Sequence, residues 1–175
     1  ILLLGYTNRA VDEICEALDS VGLDFLRIGS RYTAQKKFWK HFLDEQANNI
    51  ERRSDFKNLL VSNRIIVGTL SSINGKSELF QIKTFDWVIV DEASQILEPM
   101  LAGILTKIKK WVLIGDHKQM PAVVVQRQEH SSTSSTDLKQ IGLINLRNSL
   151  FERMMNQCKE KKYEWAYDIL REQGR

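Results

Sequence analysis

The chain has 175 residues, is 43% hydrophobic and 27% charged, and carries a formal net charge of +3. That length and composition fit one globular domain with a sizeable core, and so small a net charge excludes a uniformly basic nucleic-acid binder, leaving a local patch as the form any polyanion site takes. No apolar run approaches the roughly 18 residues of a membrane-spanning helix, and two separated cysteines, Cys15 and Cys158, argue against a disulfide framework or a cysteine metal site and for reduced intracellular thiols.

Ile1 to Leu4 reads as a buried strand and Gly5 to Asn8 as the turn after it, with Thr7 or Asn8 placed to cap the next helix. Ala10, Val11, Ile14, Cys15, Leu18 and Val21 form the apolar face of that helix, and Gly22 stops it. Phe25 to Ile28 is a short strand. The stretch from Ala34 to Asn63 has no Pro or Gly and predicts two helices breaking near Asn48-Asn49. Arg64 to Val67 and Asp86 to Val90 return to strand. Leu97 to Ile108 follows as a helix with Pro99 in its first turn, where proline is tolerated. Lys110 to Ile114 is the next strand. The run Ser131-Ser132-Thr133-Ser134-Ser135-Thr136 cannot bury much surface, so a mobile polar loop is expected over about 126–140. Leu150 to Lys162 is helical, and Tyr167 to Leu170 is expected to be a strand leading into Gln173-Gly174-Arg175.

Two stretches carry the chemistry. Trp87-Val88-Ile89-Val90 ends at Asp91-Glu92-Ala93-Ser94-Gln95, and Trp111-Val112-Leu113-Ile114 ends at Gly115-Asp116-His117-Lys118-Gln119. Short Val- and Ile-rich runs of this kind are strands of a parallel sheet, and ligands sit just beyond the carboxyl ends of such strands. Asp91, Glu92, Asp116 and Gln119 therefore surround one crevice. An Asp-Glu pair there suits nucleoside triphosphate hydrolysis, one carboxylate serving Mg²⁺ and the next a water. The plainer reading of an isolated Asp-Glu is a polar strand end or a helix cap.

The longer strings, Asp91 to Gln95 and Gly115 to Pro121, resemble motifs II and III of the superfamily 1 helicases, in the branch that moves 5′ to 3′ on nucleic acid. That resemblance implies an α/β fold: a RecA-like P-loop NTPase domain with a mainly parallel sheet. It makes Asp91 the Mg²⁺-linked carboxylate and Glu92 the catalytic base, and puts Gln95 on the attacking water or the neighbouring motif. Asp116 and Gln119 then line the ATP site, with Gln119 reading the γ-phosphate and Pro121 fixing the turn after it. Gln173-Gly174-Arg175 resembles the start of motif IV, whose arginine reaches the triphosphate. Tyr6-Thr7-Asn8-Arg9 resembles motif Ia, and Val67-Gly68-Thr69-Leu70-Ser71-Ser72 resembles motif Ib or Ic. Tyr6, Thr7, Asn8, Thr69, Ser71 and Ser72 would then line a track for single-stranded DNA or RNA, although for each turn alone a helix cap is the better explanation. The basic cluster Lys36, Lys37, Lys40, Arg52, Arg53 and Lys57 either adds attraction or is a solvated helix face.

No Gly-rich loop ending in Gly-Lys-Thr or Gly-Lys-Ser follows a strand in this sequence. In the family that loop lies just upstream of motif Ia, so residues 1–175 read as a partial domain running from motif Ia to the start of motif IV and inactive alone. The family's phosphate-loop strand sits beside the strand leading to Asp116. Without it that edge is expected to be open or swapped, giving strand-exchanged self-association. The expected activity is ATP-dependent translocation on single-stranded nucleic acid, in the cytoplasm or, in a eukaryote, the nucleus. The alternatives are a catalytically inactive nucleic-acid-binding module of the same fold and an unrelated doubly wound phosphate-binding domain.

Overall fold

The computed structural model describes residues 1–119 and 122–172. Five short strands pair in parallel in the order β2-β3-β1-β4-β5: β1 (Leu2–Gly5), β2 (Leu26–Ile28), β3 (Ile66–Thr69), β4 (Trp87–Val90) and β5 (Lys110–Leu113). β1 is central, because both faces of Leu2-Leu3-Leu4 are covered. Alternate residues of a strand point to opposite faces. Leu2, Leu4, Ile66, Val88 and Val90 enter one core with Leu101 and Ile104, while Val67 enters another with Val11, Cys15, Phe25 and Phe38. Each such fully buried side chain contributes roughly 1.5–3 kcal/mol.

The expected first helix forms as α1 (Asn8–Ser20), capped by Thr7, whose hydroxyl accepts from Ala10 N at 3.2 Å. Val21, expected on its apolar face, is 68% exposed. The stretch 34–63 departs from two plain helices. It forms a 3₁₀ segment over Lys36–His41, then α2 (Leu43–Ala47) and α3 (Arg53–Ser62). Phe38 and Phe42 are both buried, and Phe42 takes extended backbone (φ −71°, ψ 140°) to reach the core, which interrupts the helix. Two short helices, α4 (Leu70–Asn74) and α5 (Leu79–Ile82), lie between β3 and β4. α6 (Glu98–Leu105) carries Pro99 in its first turn as expected.

Residues 126–149 contain a 3₁₀ turn at Gln128–His130, an antiparallel bridge between Ser132 and Asn145, and α7 (Thr136–Gln140), capped by Ser135. Within the Ser/Thr run, Ser131 is fully buried and donates to Arg127 O at 2.9 Å. α8 (Leu150–Glu160) packs on the turn at Ala93–Gln95. The expected strand at Tyr167 to Leu170 does not form: a 3₁₀ turn occupies Glu164–Ala166, and Tyr167 to Glu172 pair with no strand. Ile169 and Leu170 are 65% and 86% exposed, so this part of the tail stays in solvent and does not dock on either edge of the sheet.

Candidate functional site

The sheet order brings four loops to one edge. β4 pairs β5 with Val90 opposite Leu113, so the Asp91 and Asp116 loops leave from neighbouring strands. β1 pairs β3 with Gly5 opposite Thr69, so the Thr7 and Thr69 turns are neighbours too. The two halves join at the β1–β4 pair, where Asp91 N donates to Leu4 O at 2.8 Å.

In the first half, Asp91 Oδ1 accepts from Glu92 N at 2.9 Å. Glu92 sits in the left-handed region, φ 54° and ψ 35°, which a non-glycine residue occupies only when its surroundings hold it there. Its carboxylate accepts from Gln95 Nε2 at 2.9 Å, so Gln95 fixes the direction of Glu92. The loop is gripped from the β5 side as well: Ala93 N donates to Ile114 O and Ile114 N to Val90 O, both at 2.8 Å. Gly115 is required by close approach, since a Cβ there would lie 2.8 Å from Ser94 N.

Asp116 is an organiser of its own loop. Its two oxygens accept from Lys118 N at 2.9 Å and Gln119 Nε2 at 3.1 Å, in the manner of an Asx turn. These bonds, the backbone one first, hold its carboxyl below the usual carboxylate range. Gln119 is exposed at the end of this loop. His117 tilts against Phe151 of α8 at 6.3 Å between ring centroids, a packing role. Pro121 and Arg175 lie outside the described residues.

Among the described residues no group of three or more His, Cys, Asp or Glu converges on a metal position. That donor set still suits Mg²⁺ carried with a nucleotide, because Mg²⁺ takes one or two carboxylates plus phosphate oxygens and waters rather than an all-protein cage. Asp91 and Glu92 are the two carboxylates at the end of β4.

In the second half, both turns cap helices. Thr69 is 8% exposed, and its hydroxyl accepts from Ser72 N at 3.1 Å and pairs with Ser72 Oγ at 2.7 Å. Thr7 is likewise committed to Ala10 N, and Tyr6 packs partly into the main core. Thr7, Asn8 and Ser71 are exposed, and Asn8 and Ser71 are the two of these whose side chains do not cap a helix.

Sequence reasoning missed a buried ion pair beside this half. Arg27 of β2 and Asp12 of α1 are 2% and 6% exposed and hydrogen-bonded to each other. Asp12 also accepts from Gln35 N at 3.2 Å, and the Arg27 guanidinium lies over the Phe42 ring. The signal was present: an Arg between Leu26 and Ile28 in a buried strand, and an Asp beside Val11 on a helix. A second unforeseen pair is Arg153 of α8 with Glu98 of α6, bidentate at 2.8 and 2.5 Å, while Arg153 Nη1 donates to Ile141 O at 2.7 Å.

Residues 30–127 match the family described as AAA domain. The chain is 36% identical over 140 residues to the DNA replication ATP-dependent helicase/nuclease DNA2 of Mus musculus, covering 79% of this chain and 13% of that protein. It is also 36% identical over 124 residues to the DNA replication ATP-dependent helicase/nuclease JHS1 of Arabidopsis thaliana, covering 71% of this chain and 9% of that protein. The homologue from Saccharomyces cerevisiae is 30% identical over 124 residues, 71% of this chain and 8% of its own length. The chain thus spans only a small part of the length of these relatives.

Proposed function

The chain belongs to the AAA-domain family, within superfamily 1 of the helicases, and on that premise we propose that its protein couples ATP hydrolysis to movement along single-stranded DNA. The observation that carries this reading is the strand order. One sheet edge holds an acidic half at β4 and β5 and a hydroxyl- and amide-bearing half at β1 and β3, joined through the Asp91–Leu4 hydrogen bond. DNA is preferred over RNA because the relatives are named for DNA replication. The same names favour an intracellular site of action, nuclear in a eukaryote.

In the proposed mechanism Asp91 is the carboxylate toward Mg²⁺, and Glu92 takes the proton of the attacking water. Bound Mg²⁺ would supply charge neutralisation at the phosphate oxygens. Gln95 keeps Glu92 aimed, which accounts for the strained backbone at that position. Asp116 holds Gln119 forward, where its amide senses the terminal phosphate; such a group both donates to a phosphate oxygen and accepts from water. Arg175 is assigned the same triphosphate from the motif it begins. Asn8 and Ser71 contact the DNA backbone directly, with Tyr6, Thr7, Thr69 and Ser72 shaping the two turns that present them.

The test is Glu92→Gln in the full-length protein. DNA-stimulated ATP turnover should fall by about 10²–10⁴-fold with nucleotide binding retained, because only the proton acceptor is lost. Unchanged turnover, or a wild-type protein that binds DNA without hydrolysing ATP, overturns the proposal.

Self-association belongs to the same reading. β5 pairs only with β4 among the described residues; Trp111 and Val112 on it are 37% and 40% exposed, and Ile114 just after it is 39% exposed. An apolar open edge is a template for a second copy of the stretch. Sedimentation of residues 1–175 should show concentration-dependent dimers that Val112→Lys dissolves; a monomer at every concentration counts against pairing.

A further inference from the structure

Beyond the two motif turns, the same sheet edge continues to β2, the outermost strand on that side, and a cleft of about 440 Å³ opens past its end. That volume lies within the range of small-ligand sites. Its walls come from three places: the segment after β2 with Gly29, Arg31 and Tyr32; α2 and the residue following it, with Asp44 and Asn48; and α4 with Ser72, followed by Lys76. The cleft is continuous with the Thr69–Ser72 turn. Gly29, at φ +143°, passes so close to that turn that a Cβ would lie 3.1 Å from Ser72 Oγ.

Tyr32 is the notable side chain. It is 79% exposed, yet it is held in place. The Arg31 guanidinium lies 5.4 Å from its ring centroid and 5.6 Å from that of Trp39, and the Trp39 ring meets Tyr32 edge-on at 6.4 Å. Arg31 is in turn tied to Glu45 at 2.6 Å. Behind it, Gln35 N is anchored on the buried Asp12 carboxylate. An aromatic ring kept in water by a cation and a second aromatic is a stacking surface, and stacking on aromatic side chains is how single strands are held without regard to sequence. Lys76 makes no side-chain hydrogen bond or ion pair among the described residues, which leaves its ammonium available to a phosphate. Asn48 and Asp44 present an amide and a carboxylate to the same space, the groups that meet base edges.

We propose that this cleft is a further nucleotide subsite of the single-strand track, in which a base stacks on Tyr32 and its phosphate meets Lys76. The subsite rests on the nucleic-acid reading given above and extends the track from β1 across β3 to the end of β2. Two strand spacings, about 10 Å, separate its near end from the Thr7–Asn8 turn.

The experiment is fluorescence anisotropy of the full-length protein with a labelled single-stranded oligodeoxythymidine over a series of salt concentrations. Tyr32→Ala should raise Kd by about 5- to 150-fold, the loss of one stacked base. Tyr32→Phe, which keeps the ring, should stay within about twofold on the same reasoning. Lys76→Ala should lower the slope of log K against log salt by about 0.7, one single-strand phosphate contact. An oligonucleotide carrying 5-iodouracil should crosslink to Tyr32 on irradiation, which a purely structural tyrosine would not do. If Asn8→Ala weakens binding while Tyr32→Ala does not, and no crosslink reaches Tyr32, the subsite is wrong and the track stands. If the wild-type protein binds no single strand, both are wrong.

Discussion

Replacing Asp12 with Ala strands the Arg27 guanidinium in the core. The Arg27 side chain is 2% exposed, and its remaining neighbours are the Cys15 sulfur at 3.8 Å and the face of Phe42, with the ring centroid 4.9 Å away. Neither replaces a carboxylate. Removing one partner of a buried ion pair costs about 3–5 kcal/mol, because the other charge stays buried and uncompensated. For a domain of this size each kcal/mol lowers Tm by about 2–4 °C, so the expected drop is about 6–20 °C. Arg27→Met should be milder: it preserves the packed stem and leaves Asp12 the Gln35 N–H. The double variant carries no buried charge at this position and should be less destabilised than the sum of the singles, by a coupling of about 0.5–3 kcal/mol. Urea or thermal melts of all four proteins measure the cycle. Additive singles, or an Asp12→Ala cost under about 1 kcal/mol, would refute the reasoning, since the pair would then behave as a solvated one.

The other expectations concern pH and close packing. Burial against Phe25, stacked at 4.0 Å, and the neighbouring Lys40 charge hold the His41 imidazole below its ordinary pKa, with Asp19 and Asp24 opposing more weakly. The unfolded chain therefore binds the proton first as pH falls, so stability should decline from pH 7 to about 5, and His41→Phe should flatten that slope in melts across the range. Gly115→Ala forces a Cβ to 2.8 Å from Ser94 N and should cost about 1–3 kcal/mol as an overpacked contact. An unchanged melting curve for that variant would mean that the two acidic loops are not clamped as described.

The parts of the fold that were legible are those where one local signal decides. Val88-Ile89-Val90 and Ile65-Ile66-Val67 have a strand composition and both lie at strands, though the second begins only at Ile66 and runs on to Thr69. Thr7 follows a strand and Thr69 ends one, and both cap the helices that come next. Where tertiary partners decide, sequence failed. Tyr167 to Leu170 is apolar enough for a strand, but a strand forms only where the chain docks on a sheet edge, and Ile169 and Leu170 remain in solvent. The residues from Ala34 to Ala47 have helix-forming composition, but placing both Phe38 and Phe42 in the core breaks the helix between them. At the candidate site, the identities of Asp91, Glu92, Asp116 and Gln119 were readable. The left-handed backbone at Glu92, its bond to Gln95 and the exposed ring of Tyr32 are facts of three-dimensional placement.

The stretch between Gln126 and Arg147 leaves the domain and returns at almost the same point. Arg147 Nη1 donates to Gln126 O at 2.7 Å, Leu146 N to Ser131 O at 2.9 Å, and Thr133 N to Ile144 O at 3.0 Å. Arg153, fixed on Glu98, holds Ile141 O from the far side. With its neck closed by these bonds, the tip can change length with little effect on the rest, since even doubling a loop adds only about 0.6 kcal/mol of closure entropy. A tag or a reporter peptide grafted at this tip should therefore leave the acidic loops untouched.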